Sequence, residues 1–465
     1  MPSFSTKDLK MWSGGQWKAR EPSAVQGVST DTRTIKPGNL YVAIRGANHD
    51  GHDFVAQAFA RGASAAVVAE AFAVQYSFDD PLLCVKDTLK ALGKIASGYR
   101  ATLKADLVAV TGSVGKTTVK EMIADVLQTR GPTARTRGNW NNDIGLPLSL
   151  LTTDLGEKFG IYELGMNHPG ELEPLCKILR PSWGVITNVG PVHLEFFRSV
   201  ADIAREKATV LKCLPENGTA VLSRDDKYFE ILRKAAPCRV ITTAVSGEAD
   251  YEGRILSSAD GQFSVLERAT GELTELSVPL PGDHVLKDAL FAVAVGRGLG
   301  VPWDDLKSAL KRYAPPPMRW NRVTIAGVRV INDAYNANPM SMRAALTAFI
   351  QTSVKGRRWL VLGGMRELGA SEKDEHVTLG REIAKGDWAG LIVVGRLGEW
   401  IGEGAETAGG FRGQVIRCAD HVVAARILRE NMAAGDAILL KASRGEQLEK
   451  VLEDWSGERP ASSAH

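Results

Sequence analysis

The sequence is poor in cysteine and nearly neutral in net charge. Its five cysteines among 465 residues are widely scattered and form no CxxC pair. This pattern argues against a disulfide framework and against a zinc site, and it favours a reducing compartment. The 57 Lys and Arg residues barely exceed the 54 Asp and Glu residues. So small an excess gives no electrostatic basis for binding nucleic acid or an anionic membrane.

Long apolar runs and internal repeats are also lacking. No stretch approaches the ~18 apolar residues that a membrane span requires, and the N-terminus lacks the basic and apolar regions of a signal peptide. We therefore predict a cytoplasmic protein without a membrane span, and we expect a monomer. The composition, 44% hydrophobic and 24% charged, is typical of folded soluble proteins. The sequence contains no internal repeat of fixed period, which argues against a solenoid or a propeller.

Length and strand patterning predict an α/β protein of three domains. At roughly 150 residues per domain, the chain is long enough for about three. Apolar strands alternate with helical segments from residue 106 onward, which predicts a doubly wound sheet with crossover helices. Three consecutive prolines at 315–317 mark a linker, since they fit neither a helix interior nor a sheet interior. We predict a small N-terminal α/β domain over 1–104, a central P-loop domain over 105–314 and a C-terminal Rossmann-like domain over 315–465.

Individual elements of these domains can also be predicted from the apolar runs and their boundaries. The predicted helices include 87–103, 116–129 and 200–214. The predicted strands are 107–111, 160–164, 184–188 and 219–223 in the central domain, and 328–333, 359–362, 391–395 and 437–441 in the C-terminal domain.

The segment LVAVTGSVGKTT has the order of a phosphate-binding loop: an apolar strand, a glycine-containing turn and the start of a helix. Glycines let backbone N–H groups close around phosphate oxygens, Lys116 supplies a mobile cation, and Thr117 offers a hydroxyl to magnesium. Val110 stands where the strict pattern has its first glycine, so this loop is a shortened variant. The alternative is an ordinary glycine-rich turn. The predicted ATP-binding residues of the loop are Thr111, Gly112, Ser113, Val114, Gly115, Lys116, Thr117 and Thr118.

Two polar residues follow strands of the same predicted sheet. Glu163 closes the strand in GIYELG, and His193 follows the strand in GVITNVGPVH. Parallel sheets present their carboxyl ends to ligands, so an acid and an imidazole there could hold a metal ion near the phosphates. Taken singly, each residue could equally be a surface or capping side chain.

These motifs and several others resemble those of the Mur ligase family, over a stretch from near Gly27 to about Leu452. The resemblance rests on TGSVGKTTVKEM, GNWNNDIGLPLSLL, YELGMNHPGEL, ITNVGPVHLE, INDAYNANPMSM, VLGGMRELG and KASRGEQL, in that order. It implies an N-terminal domain for a UDP-sugar, a central ATPase and a C-terminal domain for the incoming amino compound. It further implies that ATP converts a carboxylate into an acyl phosphate, which an amine attacks to give an amide, ADP and phosphate.

Within the family, YNANPMSM and MRELG resemble the member that adds a dipeptide. This implies a ligase of peptidoglycan precursor synthesis, with D-alanyl-D-alanine and UDP-N-acetylmuramoyl-tripeptide as its substrates. A sister ligase that adds the third residue is an alternative, although its DNPR motif is missing from the sequence. A folate polyglutamate synthase and a nucleotide-binding regulatory protein without ligase activity are further alternatives.

The resemblance also implies roles for single residues, with ATP and two Mg²⁺ ions as cofactors. Lys116 would contact the β and γ phosphates, while Thr117 and Glu163 would bind the first magnesium. His193 would hold the second magnesium. Lys207 corresponds to a lysine that several members carbamoylate to make a metal ligand, and the alternative is an unmodified lysine on a helix surface. The implied catalytic residues are Lys116, His193, Lys207 and Arg319; the implied metal ligands are Thr117, Glu163, His193 and Lys207.

The remaining implied site residues fall into two groups. For ATP they are Asn139, Asn142, His284, Asp288, Arg319, Asp333 and Asn336, with Arg319 acting as an arginine finger. For the other substrates they are Thr30, Asp31, Thr32, Arg33, Asp50, His52, Asn141, Lys441, Ser443 and Arg444. Around His284 the sequence departs from the family pattern GxHNxxNA, because Val285 and Asp288 replace its asparagines. An aspartate accepts from the exocyclic amine of adenine but donates to the ring only when protonated.

Overall fold

A computed structural model describes residues 2–46, 48–76 and 79–457 of the chain. Three large β-sheets follow one another along the sequence, with helices covering them, and two short strands near the start of the chain form a further antiparallel pair. The α/β class and the three-part architecture predicted from the sequence are thus confirmed. Among the described residues, no helix combines the length and the apolar character that crossing a membrane requires.

The first sheet has five strands in the order β2-β7-β6-β5-β4, parallel except for the β2–β7 pair. Its last helix, α4, begins after Asp87, whose carboxylate accepts from Lys90 N–H. Tyr99 and Arg100 at the end of α4 donate to backbone carbonyls of the next unit, at 2.7 Å each. The elements are β1 Ser3–Phe4, α1 Thr6–Ser13, β2 Gln16–Lys18, β3 Val25–Gln26, β4 Val28–Ser29, β5 Leu40–Val42, α2 Val55–Ala60, β6 Ala65–Ala69, α3 Glu70–Gln75, β7 Leu82–Val85 and α4 Thr88–Arg100.

The second sheet has nine strands in the order β9-β10-β8-β11-β12-β13-β14-β15-β16. The strands from β9 to β14 are parallel, and β15 and β16 extend the sheet as an antiparallel meander. The elements are β8 Asp106–Thr111, α5 Lys116–Gln128, β9 Thr133–Arg135, α6 Gly145–Leu150, β10 Phe159–Glu163, α7 Leu172–Leu179, β11 Trp183–Ile186, α8 Val200–Lys207, α9 Thr209–Lys212, β12 Thr219–Ser223, α10 Phe229–Ala235, β13 Arg239–Ala244, β14 Tyr251–Ser257, β15 Gln262–Glu267, β16 Glu272–Ser277, α11 Asp283–Gly298 and α12 Trp303–Lys311.

Two details of this sheet differ from the sequence predictions. The helix predicted over 200–214 is divided at Ala208 into α8 and α9, because the backbone tightens there and Leu211 N–H donates to the carbonyl of Ala208, three residues back. The strand predicted over 184–188 ends at Ile186. Its last two residues, Thr187 and Asn188, instead contact the phosphate-binding loop.

The third sheet has six strands in the order β17-β18-β22-β19-β20-β21. Strands β17 and β18 form an antiparallel hairpin, and the other pairs are parallel. The elements are β17 Asn321–Ile325, β18 Val328–Asn332, α13 Pro339–Gln351, β19 Arg358–Leu362, α14 Glu372–Ile383, β20 Gly390–Val394, α15 Gly395–Thr407, β21 Gln414–Cys418, α16 His421–Asn431, β22 Ala437–Lys441 and α17 Lys450–Ser456.

Buried apolar side chains join the three units. One continuous cluster runs from the central sheet, with Val108 and Val185, into the C-terminal sheet, with Leu360 and Leu439. A second runs from the first unit into the central one. The predicted domain ends at 104 and 314 lie in connections between the sheets and stay predictions. Residue 1 and residues 458–465 of the predicted domains lie outside the described residues.

Candidate active site between the central and C-terminal sheets

The phosphate-binding loop connects the carboxyl end of β8 to the start of α5. Gly112 and Gly115 have φ of 155° and 82°, values that L side chains rarely adopt. A Cβ at Gly112 would lie 1.9 Å from the Thr187 hydroxyl, so the loop requires glycine there. No described side chain caps α5, which leaves its first N–H groups for an anion. Lys116 Nζ lies over the loop and donates to the carbonyl of Gly112 at 2.8 Å.

Asn188, two residues beyond the end of β11, holds this loop in place. Its carbonyl accepts from Ser113 N–H and its side-chain oxygen accepts from Val114 N–H, both at 3.0 Å. The Asn188 amide and the Thr187 hydroxyl donate to the carbonyl of Val114 at 3.0 and 2.5 Å. The sequence interpretation did not include these two residues. A polar pair directly after an apolar strand of a P-loop sheet was the signal that could have indicated them.

Glu163 lies at the end of β10, buried beside the loop. Its carboxylate accepts from the Thr117 hydroxyl at 2.7 Å and from the Asn141 amide at 2.9 Å. Burial alone would raise the pKa of Glu163, but the positive charges of Lys116 and Lys120 outweigh it and lower the pKa. Glu163 is therefore a carboxylate at neutral pH, with hard oxygen atoms beside a phosphate-binding loop.

Arg319 brings a positive charge from the C-terminal unit to this loop. It lies two residues beyond the triple proline, between Met318 and Trp320, which have φ of 58° and 57°. Its guanidinium lies over the Tyr335 ring, 4.1 Å from the ring centroid.

Two adjoining cavities lie between the sheets and share Ser113, Lys116, Arg319 and Tyr335. The larger, of about 410 Å³, is also lined by Asn139, Asn141, Asn142, Glu163, His193, Arg366, Glu367, Ser443 and Arg444. The smaller, of about 150 Å³, is also lined by Val114, Gly115, Thr117, Thr118, His284, Asp288, Tyr313, Asp333 and Lys441. Asn336 lines both. The arrangement puts a phosphate cradle at the junction of two chambers, one of which has room for further substrates.

Comparisons with known proteins agree with this geometry. The Mur ligase middle domain matches residues 110–296, the Mur ligase glutamate ligase domain matches 318–444, and the Mur ligase family catalytic domain matches 24–100. The UDP-N-acetylmuramoyl-tripeptide–D-alanyl-D-alanine ligase of Bacillus subtilis is 34% identical over 436 residues, which cover 93% of this chain and 94% of that protein. The chain belongs to the Mur ligase family. The Escherichia coli enzyme of the same name is 37% identical over 78% of this chain and 79% of its own.

Solved structures of Mur ligases superimpose on nearly the whole chain. MurF from Acinetobacter baumannii gives a TM-score of 0.88 at 29% identity, covering 98% of this chain and 99% of that one. MurF from Thermotoga maritima in complex with ADP gives 0.80 at 29% identity, covering 93% and 98%.

The residues of this Mur ligase fit the nucleotide and the magnesium that the family implies. The uncapped start of α5 and the glycine cradle suit phosphate oxygens. The Thr117 hydroxyl and the Glu163 carboxylate, 2.7 Å apart, are hard donors of the kind that magnesium takes. No group of three or more His, Cys, Asp or Glu that could hold a metal ion occurs in the described parts of the chain.

His193, predicted to hold the second magnesium, and Lys207, predicted as a metal ligand after carbamoylation, differ in accessibility. His193 lines the larger cavity, and its Nδ1 lies 2.6 Å from Glu367 Oε2. Lys207, at the end of α8, is buried with 1% of its surface exposed. The alternative of a helix-surface lysine is therefore wrong, because α8 turns this side chain into the interior. Burial and the charge of Lys116 lower the pKa of Lys207 well below its usual value.

Lys441 lines a different cavity from Ser443 and Arg444, although the sequence analysis assigned all three to substrates other than ATP. Its Nζ contacts Asp333 Oδ2 at 2.6 Å and donates to the carbonyl of Asn336 at 2.9 Å, and it lines the smaller cavity. Ser443 and Arg444 line the larger one. Lys441 thus orders Asp333 and Asn336, two of the residues predicted to bind ATP. Lys441 is the last residue of β22, and the chain leaves the sheet before Ser443, which places the two side chains in different cavities.

His284 and Asp288 both lie on α11 against the phosphate-binding loop. A Cβ on Gly115 would lie 2.7 Å from the Asp288 carboxylate, so the phosphate-binding loop and α11 are in close contact. Burial raises the pKa of Asp288 well above its usual value and lowers the pKa of His284 to about 4. Val285, the other departure from the family pattern, is buried beside them.

The candidate residues of the N-terminal unit line neither of the two cavities. Two of them, Asp31 and Asp50, lie near Tyr41, and burial together with their charges raises the pKa of Tyr41 to about 12. Asp31 pairs with Arg33 at 2.6 Å, and Thr32 donates to Gln57 at 2.9 Å. Both His52 ring nitrogens are engaged, Nδ1 with Asp50 at 2.6 Å and Nε2 as acceptor from Ala69 N–H at 2.9 Å. Hydrogen bonds from the His52 backbone N–H, the His52 ring and Arg45 outweigh the effect of burial and lower the pKa of Asp50 to about 2. Thr30 precedes this group and is half-buried.

Proposed function

We propose that this Mur ligase joins D-alanyl-D-alanine to UDP-N-acetylmuramoyl-tripeptide with hydrolysis of ATP to ADP and phosphate. One observation carries the proposal: a phosphate-binding loop of the central sheet and Arg319 of the C-terminal sheet line one continuous cleft. The names of relatives that are at least 34% identical over most of their length supply the two substrates.

The chemistry begins with a carboxylate, which is a poor electrophile at neutral pH. Transfer of the γ-phosphoryl group of ATP to the tripeptide carboxylate makes an acyl phosphate and releases ADP. The amine of the dipeptide then attacks the acyl carbon, the C–N bond forms, and phosphate leaves with the C–O bond electrons while the amine loses a proton. Lys116 and Arg319 offset the negative charge that develops on the transferred group.

Thr117 and Glu163 would hold a magnesium ion at the phosphates, His193 would hold a second one, and Lys207 would be a further metal ligand once carbamoylated. Such ions screen negative groups that must approach each other. Asn139, Asn141 and Asn142 add amide donors to the same wall of the cleft. Ser443 and Arg444, with Arg366 beside them, would receive the incoming dipeptide, whose carboxylate suits a guanidinium.

The first unit would bind the UDP-sugar through the residues around Tyr41. Thr30, Asp31, Thr32, Arg33 and Asp50 supply hydroxyl and charged groups there, while His52 positions Asp50. We also propose that the protein works in the cytoplasm as a monomer, in agreement with its demand for ATP and with its free cysteines.

Acceptor-dependent phosphate release tests the reaction. The assay contains ATP, magnesium and UDP-N-acetylmuramoyl-tripeptide, and compares D-alanyl-D-alanine, single amino acids and no acceptor. Release that requires the dipeptide, together with a product whose mass equals that of both substrates minus water, supports the proposal. Release with a single amino acid would assign the chain to a sister ligase. No release with any acceptor would favour a regulatory nucleotide-binding protein.

A further inference from the structure

His193 and Glu367 join the two sheets across the larger cavity. His193 follows β11 of the central sheet and Glu367 follows β19 of the C-terminal sheet, and Nδ1 lies 2.6 Å from Oε2. Both residues have left-handed backbones, with φ of 55° and 64°. Such conformations are unfavourable for residues with a Cβ and persist where the surroundings fix them. Here two residues with such backbones face each other through one hydrogen bond.

The loop that carries Glu367 is held firmly on its own sheet. His376 accepts from Met365 N–H at 2.8 Å, and the Ser443 hydroxyl accepts from Arg366 N–H at 3.0 Å. On the far side, a Cβ on Gly369 would lie 3.1 Å from the Cα of Glu195, so the loop also touches the segment that follows His193. The position of Glu367 is therefore set by the docking of one sheet on the other.

The hydrogen bond to Glu367 also selects which nitrogen of His193 faces a ligand. With Nδ1–H donated to Glu367, the lone pair of the neutral imidazole is on Nε2, and none of the described residues hydrogen-bonds that atom. A carboxylate that accepts from one nitrogen fixes the tautomer and the orientation of an imidazole whose other nitrogen binds a metal. His193 is 17% exposed, which leaves access from the cavity.

We propose that Glu367 is a positioning residue that orients His193 Nε2 toward a divalent cation in the cleft. The inference rests on the proposed function, since it assigns the orienting group of the second cation. Because histidine and carboxylate come from different sheets, that cation site is complete when the C-terminal unit is docked and incomplete when it is not. Phosphoryl transfer is thereby tied to the closed arrangement, which protects ATP from hydrolysis in an open cleft.

Cation binding measured apart from turnover tests the inference. Mn²⁺ is titrated into the full chain with a non-hydrolysable ATP analogue, and free Mn²⁺ is followed by electron paramagnetic resonance. The variants are Glu367→Ala, Glu367→Gln, which keeps an oxygen acceptor, and Glu195→Ala as a control on an exposed carboxylate of the adjacent segment. Spin-echo modulation from imidazole nitrogen reports whether His193 binds the ion.

We expect two Mn²⁺ ions in the unchanged chain. Glu367→Ala should lower the affinity for the second Mn²⁺ ion about 10- to 100-fold and abolish the nitrogen modulation. Glu367→Gln should lower that affinity less than Glu367→Ala does and keep the modulation. Analogue affinity and the first ion should stay unchanged, as should every value for Glu195→Ala. Any of three results would overturn the inference. These are an unchanged affinity for the second ion in Glu367→Ala, an equal loss of affinity for both ions in that variant, and the binding of a single ion by the unchanged chain. Dipeptide-dependent phosphate release by the unchanged chain is recorded in parallel, so that the proposed function stands or fails separately.

Discussion

The guanidinium of Arg319 lies over the ring of Tyr335, with 4.1 Å between Cζ and the ring centroid. The contact is reinforced by the backbone, because Tyr335 N–H donates to the carbonyl of Met318 at 3.1 Å. The aromatic face therefore holds the arginine at the junction of the two cavities, where a transferred phosphoryl group would lie.

Replacing Tyr335 by Leu should release Arg319 from this position. A cation–π contact contributes about 0.5–2 kcal/mol, so we expect kcat to fall about 2- to 30-fold with a smaller change in ATP affinity. Tyr335→Phe keeps the ring face and is the matched control, with kcat within about 2-fold of the unchanged enzyme. Steady-state kinetics with varied ATP gives both values. An equal loss in the two variants would assign the effect to the hydroxyl group instead.

Arg319→Ala should reduce the rate far more than ATP affinity. A guanidinium that acts on developing charge stabilises the transition state, and loss of such a donor costs on the order of 10²–10³ in kcat. Arg319→Lys, which keeps the charge but not the planar fork, should recover part of the rate. Calorimetric titration with an ATP analogue measures affinity without turnover. A loss confined to affinity would contradict the role.

Lys116→Ala should remove turnover without unfolding the protein. Lys116 Nζ contacts the loop carbonyl at 2.8 Å and lines both cavities, so we expect a rate loss on the order of 10² or more if it stabilises the transferred phosphoryl group. Circular dichroism and thermal unfolding check the fold, and Lys307→Ala on the outer surface of α12 serves as the control. Appreciable activity in Lys116→Ala would exclude the loop from the mechanism.

Lys207→Ala should be impaired and partly restored by acetate or another small carboxylic acid, if a carbamate carries the function. A neutral amine reacts with CO₂, and burial together with Lys116 favours the neutral form by lowering the pKa of Lys207. Activity of the unchanged enzyme should also decline when bicarbonate is removed and return when it is added. Failure of both treatments in a correctly folded variant would favour an unmodified lysine.

Asp288→Asn should stabilise the fold at neutral pH, by about 1 kcal/mol, because it removes a buried acid. Burial raises the pKa of Asp288 in the folded state, so folding binds its proton more tightly than the unfolded chain does. Its contribution to stability is complete below the unfolded pKa of roughly 4 and is lost as pH rises through the folded pKa. The gain in Tm should therefore be small near pH 4 and larger at pH 7. A gain independent of pH would assign it to packing instead.

The sequence was sufficient for the parts of the site that are local in the chain. The strand, the glycine turn and the first turn of α5 lie within twelve consecutive residues, so the order of residue types predicts them directly. Glu163 followed from the rule that parallel strands present their carboxyl ends at one edge. Both predictions depend on short segments or on sheet geometry, and neither requires knowing which loops contact each other.

The contacts that the sequence did not reveal are made between distant segments. Lys441 and Asp333 are 108 residues apart, and His193 and Glu367 are 174 apart. Their pairing depends on how the sheets dock, which no local pattern specifies. The meander of β14, β15 and β16 was missed for another reason: its strands are partly exposed and mix polar with apolar residues, whereas the buried parallel strands form continuous apolar runs.

The short distance along the chain between Pro317 and Arg319 has a mechanical consequence. If the C-terminal unit turns about the three prolines, Arg319 beside that pivot travels less than residues that lie farther from it in space. The nucleotide could then keep its arginine while the chamber for the peptide substrates widens. The enzyme would hold its energy source in place during the exchange of the two molecules that it joins.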